Sequence, residues 1–297
     1  MKIIQSLWTK PLIDDEGKLH FLDWRHPKFF FMSWALSCLT YREIYSDVEL
    51  VTDEIGFDLL IKKLKLPYTS IKVELDNLNN YSSRIWAIGK IHSYKIQNEP
   101  FIHVDGDSFI WERFDKRIEN ANLVTQQIDV DNGYYKEAIM NARKYDFILP
   151  DIIEQDLLKF QTIKSCNAGI FGGNDIAFIK DYCNLSFEFI NNNSSKYNSN
   201  FNGAFYALLY EQLLFSCLAR KRNKDITYYL NEDLKQTNDF LSGDVSNFLN
   251  KYKSDKRFVH IYSTRKKLLK SCNELENQLE LEYPQYYERV IRLSRYF

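Results

Sequence analysis

Phe101-Ile102-His103-Val104-Asp105-Gly106-Asp107-Ser108-Phe109-Ile110-Trp111 is an apolar run with two carboxylates two residues apart at its centre. Apolar runs of this length read as buried strand. Side chains alternate along a strand, so residues 105 and 107 face the same way and their charges converge. Gly106 between them lets the backbone turn or a ligand approach closely. Two like charges held together beside apolar neighbours repel and are poorly hydrated, and a divalent cation relieves both penalties. Hard oxygen ligands suit Mg²⁺ or Mn²⁺, which in turn bind diphosphate oxygens. The competing reading is a solvated Asp-Gly turn between two strands. His103 falls on the same face two residues earlier, either to orient a carboxylate or as a hydrogen-bonded core histidine.

Strand and helix signals alternate outward from this segment. Strands are expected over residues 2–8, 48–52, 70–75 and 101–104, with helices over 27–41, 55–64 and 82–97 between them. That order predicts a doubly wound, largely parallel α/β sheet, whose ligands sit at the carboxyl ends of the strands. Thr9 and Lys10, Asp53, and Asp105 with Asp107 all fall at such ends. Asp53 can hydrogen-bond a base or ribose there; equally, it can be the acid that starts the following helix. The chain continues with a strand over 123–128, a helix over 134–145, a strand over 165–173, a helix over 204–220, a strand over 258–262 and two helices divided by Pro284. Asn191-Asn192-Asn193-Ser194-Ser195 reads as an exposed loop, and the polar stretch 191–200 as a lid that is mobile without acceptor.

Bulk properties limit the function. The chain has 297 residues, enough for one large α/β domain or two small ones, and a formal net charge of -1 that offers no field for nucleic acid. Five scattered cysteines without CxxC spacing imply free thiols in a reducing compartment. No apolar run approaches the ~20 residues of a spanning helix, and the N-terminus turns polar too soon for a signal peptide. The expected setting is the cytoplasm or the inner face of the membrane.

Three more segments carry chemistry. Cys166-Asn167-Ala168-Gly169-Ile170-Phe171-Gly172-Gly173 places an amide and three glycines in an apolar strand, marking close backbone approach by a ligand or a structural bulge. Tyr210-Glu211-Gln212-Leu213 puts a carboxylate on a helix apolar nearly all round, where it needs a buried partner or a task. His260 lies in a short apolar strand ahead of Arg265, Lys266 and Lys267, a setting for a metal-ligating imidazole next to a phosphate, or for a core histidine before a basic solvated helix.

With these motifs in order, the chain resembles the GT-A glycosyltransferases, most of all the retaining group that includes glycogenin and the bacterial lipooligosaccharide galactosyltransferases. It also resembles a bacterial family of GT-A-like proteins. The motifs are Asp105-Gly106-Asp107, Asn167-Ala168-Gly169, Glu211-Gln212-Leu213 in place of Asp-Gln-Asp, and His260-Ile261-Tyr262-Ser263-Thr264-Arg265-Lys266 in place of His-x-x-Gly-x-x-Lys. The resemblance covers about residues 1–270. It implies a GT-A-type mixed sheet flanked by helices, with a catalytic domain over 1–263 (a nucleotide-binding half to about 112, an acceptor-side half from 113) and a helical extension over 264–297. It implies Mn²⁺ or Mg²⁺ on Asp105, Asp107 and His260, and Lys266 on the diphosphate. Apart from the resemblance, Lys90 or Arg84 is expected to add charge stabilisation there. Asn167, Ala168 and Gly169 would bind the donor, and Glu211 and Gln212 would be catalytic. The implied partners are a nucleotide-diphosphate sugar, expected to be a UDP-sugar, and a glycan or lipid-linked saccharide acceptor. Leu213 and Ser263 depart from the pattern, which puts sugar identity and stereochemistry in doubt more than metal binding. Two alternatives remain open: a GT-A-like scaffold that binds nucleotide or glycan without turnover, and a haloacid-dehalogenase-type phosphatase. The latter normally carries its DxD on the first strand of the fold, and no downstream acidic pair completes its magnesium site here.

Overall fold

A computed structural model describes residues 1–14, 16–21, 24–130, 133–197, 202–230 and 258–297. In chain order the strands are β1 (Lys2–Leu7), β2 (Val48–Thr52), β3 (Ser70–Val73), β4 (Phe101–Val104), β5 (Ser108–Ile110), β6 (Val124–Val130), β7 (Lys164–Gly173), β8 (Thr227–Leu230) and β9 (Phe258–His260). The helices are α1 (Pro27–Ile44), α2 (Glu54–Phe57), α3 (Ile88–Lys95), α4 (Lys116–Glu119), α5 (Gly133–Lys144), α6 (Asp151–Lys159), α7 (Ile176–Asn192), α8 (Gly203–Ala207), α9 (Leu214–Lys221), α10 (Leu269–Glu282) and α11 (Pro284–Ser294). The fold is mixed α/β, with a seven-stranded, mostly parallel sheet flanked by helices, as the alternation of signals predicts. The chain forms two compact units: Met1–Asp76, Val104–Phe114 and Asn238–Phe297 make the first, Asn77–His103 and Asp115–Thr237 the second.

In the first unit β1, β2 and β3 run parallel in the order β3-β2-β1. Helix α1, whose residues from Phe29 to Tyr41 are all buried, packs on β2 and β5. Pro27 sits in the first turn of α1, and the His26 ring caps it by accepting from Lys28 N–H at 3.1 Å. Three hydroxyl residues, Ser33, Ser37 and Thr40, interrupt the apolar surface of α1 and are buried with it. The C-terminal helices α10 and α11 pack on α1, where Lys28 pairs with Glu276 at 2.8 Å. Strands β5 and β9 form a separate antiparallel ladder. The helix expected over 55–64 is α2 continued by a π-helical turn, Asp58–Lys63.

In the second unit the order is β4-β7-β6-β8, with β6 antiparallel to β7 and parallel to β8. Gly172 and Gly173 have φ of 150° and 132°, and a Cβ on either would lie 2.2 Å from a carbonyl oxygen, of Phe101 and of Asn122 respectively. These two glycines therefore admit neighbouring backbone, not a ligand. The helix expected over 204–220 is α8 and α9 joined through a π-helical segment, Leu208–Leu213. Helix α7 occupies a stretch where no element was expected and extends to Asn192. Asn193, expected in an exposed loop, is fully buried; its amide serves Ile148 N–H and the Ile148 and Phe189 carbonyls. The rest of the expected lid, from residue 198, lies outside the described residues.

Candidate metal centre

The two aspartates come together through a turn, not through strand alternation. β4 ends at Val104, residues 106 and 107 form the turn, and β5 starts at Ser108. Ser108 closes it by donating to the Asp105 carbonyl from its backbone N–H at 3.1 Å and its hydroxyl at 2.8 Å. Helix α1 grips the same loop: Ser33 Oγ donates to the Gly106 carbonyl at 2.8 Å and Ser37 Oγ to the Ser108 carbonyl at 2.6 Å. Gln5 on β1 donates to Ser37 Oγ at 2.8 Å. Gly106 is required by space, since a Cβ there would stand 2.5 Å from the Trp34 indole. The close approach inferred at this glycine is therefore made by Trp34.

His260 arrives by strand pairing. In the β5–β9 ladder it lies opposite Ser108, and Ile261 N–H donates to the Asp107 carbonyl at 2.9 Å. Its Nε2 is 3.1 Å from Asp107 Oδ1 and 3.8 Å from Asp105 Oδ2. One ligand atom from each of Asp105, Asp107 and His260 fits within 4.8 Å of the others, and no other such His, Cys, Asp or Glu group occurs among the described residues. After β9, Ser263 takes the left-handed conformation (φ 54°) and opens a 3₁₀ turn, Ser263–Lys267. That turn carries Lys266 Nζ to 2.7 Å from Asp107 Oδ2 and over the Trp24 ring at 5.8 Å. Burial pushes the Asp107 pKa up, but the Lys266 ammonium and the His260 ring outweigh it and hold the carboxyl well below the usual range. Lys266 offsets one of two carboxylate charges. Two carboxylates and an imidazole around a common point then fit a hard or borderline divalent cation.

Elsewhere in the first unit, the Thr9 N–H and hydroxyl donate to Asp53 Oδ2 at 2.6 and 2.8 Å, and Gly56 N–H donates to Oδ1 at 2.8 Å. Asp53 thus caps α2 and ties down the end of β1, and Lys10 begins the short 3₁₀ turn that follows.

The second unit holds the other expected residues. His103 is buried against Tyr94, with ring centroids 5.0 Å apart. Burial, with the Lys90 charge adding to it, keeps its pKa well below the ordinary value; it is a core histidine. Glu211 lies in the π-helical segment, 1% exposed, and pairs with Lys90 Nζ at 3.0 Å. Gln212 Oε1 accepts from Tyr135 Oη at 2.6 Å. Asn167 Oδ1 accepts from Gly169 N–H at 2.9 Å, and Ala168 is buried between them in β7. Arg84 is exposed in the turns ahead of α3. Sequence reasoning missed Ser33, Ser37, Tyr135 and Asp129. The signal for the serines was their spacing of four in an otherwise apolar helix.

No curated protein sequence matches this chain. Among solved structures, mouse xyloside xylosyltransferase 1 in its apo form is similar over 76% of this chain and 84% of its own, with 10% identity and a TM-score of 0.37. No helix among the described residues is long and apolar enough to cross a membrane. Residues 1–293 match the group described as "Family of unknown function (DUF6734)", and the chain belongs to that family.

Proposed function

We propose that the chain is a metal-dependent glycosyltransferase that transfers a sugar from a nucleotide-diphosphate donor, a UDP-sugar by resemblance, to a glycan or lipid-linked saccharide. The observation that carries this reading is the meeting of Asp105, Asp107 and His260 with Lys266 beside them. Asp105, Asp107 and His260 would hold Mn²⁺ or Mg²⁺, which when bound neutralises a leaving diphosphate. Lys266, already fixed on Asp107, supplies a cation for a phosphate oxygen. The α1 hydroxyls and Trp34 hold the Asp105-Gly106-Asp107 turn rigid before any ligand arrives, the pre-organisation on which electrostatic stabilisation depends. Thr9, Lys10 and Asp53, at the ends of β1 and β2, are assigned to the nucleotide, with Asp53 acting by orienting Thr9. Asn167, Ala168, Gly169, Glu211 and Gln212 are assigned to donor sugar and acceptor by resemblance alone, and Arg84 and Lys90 are assigned to charge balance as cations.

Calorimetry of UDP binding with Mn²⁺, with Mg²⁺ and in EDTA tests the reading. Binding should need the metal, and Asp105→Ala and Asp107→Ala should each abolish the metal-dependent part while the fold survives. Equal affinity in EDTA overturns the metal bridge. A second reading, nucleotide or glycan binding without turnover, is favoured by Leu213, which is fully buried where the resembling group carries an acid. Metal-dependent binding without hydrolysis or transfer of any nucleotide sugar would select it.

A further inference from the structure

Strand β6 carries Gln126, Gln127 and Asp129, all buried. The ladder to β7 shifts register between Thr125 and Gln127. Gln127 Nε2 donates to Asp129 Oδ1 at 3.3 Å. The other carboxyl oxygen, Oδ2, lies 3.1 Å from Tyr135 Oη. The same phenol oxygen is 2.6 Å from Gln212 Oε1 and 3.2 Å from the Cys166 carbonyl.

A phenol has one proton, yet three acceptor oxygens surround this one. At 2.6 Å the contact to Gln212 Oε1 must hold a proton, because two lone pairs would repel there. Gln212 Oε1 has none to give, so the proton is that of Tyr135. Asp129 Oδ2 then either faces a phenol lone pair as a buried carboxylate or donates to it as a carboxylic acid. The first leaves a buried charge that, among the described residues, has the Gln127 amide as its side-chain donor at 3.3 Å, which is costly. Among the described residues, the neighbouring titratable groups do not offset that charge. Tyr135 and Tyr228 are phenols held neutral by burial, and burial pushes the Cys166 thiol up to about 12.

We propose that Asp129 is a neutral carboxylic acid and a positioning residue for Gln212: donation from Asp129 to Tyr135, and from Tyr135 to Gln212 Oε1, fixes the Gln212 amide so that its NH₂ is kept for a ligand oxygen. Burial also raises the Asp129 pKa, and outweighs the lowering that donation from Gln127 and from Tyr135 would exert on a carboxylate. The ligand class, a sugar hydroxyl, rests on the glycosyltransferase reading; the proton on Asp129 and the orientation of the amide do not. The rival arrangement is linked to it. With Gln212 flipped, its NH₂ donates to Tyr135, Tyr135 donates to an Asp129 carboxylate, and Gln212 presents its oxygen to the ligand.

Infrared spectroscopy at neutral pH separates the two. The proposal expects a carbonyl stretch of a protonated carboxyl in the parent, shifted in Tyr135→Phe and absent in Asp129→Asn. A parent without that band overturns it, whether or not Asp129→Asn folds. Nucleotide-sugar turnover gives the second readout. Asp129→Asn keeps a donor toward Tyr135 and should stay within about 3-fold of the parent, whereas Asp129→Leu and Tyr135→Phe should lose about 10-fold or more, the scale of one hydrogen bond. If Asn and Leu at position 129 are equally impaired, the positioning role fails. A neutral-acid band in a chain with no transferase activity would leave the proton assignment standing and sink the glycosyltransferase reading instead.

Discussion

Lys266 Nζ lies 2.7 Å from Asp107 Oδ2, while His260 Nε2 approaches the other carboxylate oxygen at 3.1 Å. Asp107 is therefore shared between a cation and an imidazole, and its protonation is suppressed by both. The arrangement separates two jobs. Oδ1 lies on the side of His260, which with Asp105 and Asp107 would hold a metal, and Oδ2 holds a lysine that can turn to a phosphate without leaving the carboxylate's field.

Lys266→Met tests that division. Methionine keeps an apolar stem near Trp24 and removes the charge. Mn²⁺ alone should bind at least as well as to the parent, because a competing cation has gone from Asp107. UDP in the presence of Mn²⁺ should bind about 10-fold or more weakly, the scale of a hydrogen bond to a charged group. Unchanged UDP affinity in calorimetry would remove Lys266 from the diphosphate, and weakened metal binding would make it a prop for Asp107.

Ser263 stands where the resembling motif has glycine, and it keeps the left-handed backbone with φ 54°. Left-handed strain costs a non-glycine residue about 1–2 kcal/mol. Glycine gives back roughly 0.4–1 kcal/mol through a freer unfolded chain. Ser263→Gly should thus leave stability unchanged or raise it by up to about 1.6 kcal/mol, and Ser263→Val, β-branched, should lower it. Urea unfolding measures both. A clear loss in the glycine variant would mean that the serine side chain holds the turn by a contact of its own.

The sequence encodes the ends of self-contained elements locally. Strands β2 and β4 are short apolar runs stopped by Asp53 and Asp105, and they end where those acids predict. The helix expected over 82–97 shrinks to α3 because tertiary partners take its first turn. Ala87 N–H donates to Tyr210 Oη at 3.1 Å instead of to a helical carbonyl, and Gly203 packs on the Arg84 carbonyl. Asp175 caps α7 by accepting from Phe178 N–H, a helix-start signal that stands two residues after the glycines of β7. The site is harder to read. His260 is 153 residues from Asp107, and only the resemblance linked them. The hydroxyl contacts of α1 and the Tyr135–Gln212 contact join residues far apart in the chain, and no periodicity encodes them or the shorter link from Asp129 to Tyr135.

Asp129 gives a pH prediction whose sign follows from its raised pKa. The unfolded chain loses this proton near pH 4, whereas the folded chain keeps it to higher pH. Between those values the unfolded state is favoured increasingly, so this carboxyl costs the fold stability as pH rises until its folded pKa is passed. Asp129→Asn lacks the effect. Its stability relative to the parent should therefore climb with pH above about 4, by at most about 1.4 kcal/mol per unit. Urea unfolding of both proteins across a pH series measures it. A flat difference would show that the folded carboxyl ionises as an ordinary one, and a difference that favours the parent at higher pH would show a lowered pKa; either overturns the neutral acid.

Glu211 raises the sharpest separation of structure from chemistry. Read from sequence, Glu211→Gln should slow turnover about 10²-fold, the effect of losing one electrostatic stabiliser, with the melting temperature close to the parent. The 3.0 Å pair with Lys90 alters the second half of that expectation. Removing one partner of a buried pair leaves the other charge uncompensated, which costs about 3–5 kcal/mol when both are fully enclosed. Lys90 retains some exposure and its long stem can reach water, so the cost should fall below that range, yet still lower the melting temperature by several degrees. Lys90→Met with Glu211→Gln removes both charges and should restore most of the stability, as neutral replacement of buried pairs does. Turnover of this double variant then decides the role. Glu211 lies in a π-helical segment, a helix irregularity that occurs frequently at functional sites; if it touches the reacting sugar, the stable double variant remains about 10²-fold slow. If the pair only holds the helix against α3, the double variant regains rate together with stability, and Glu211 leaves the site.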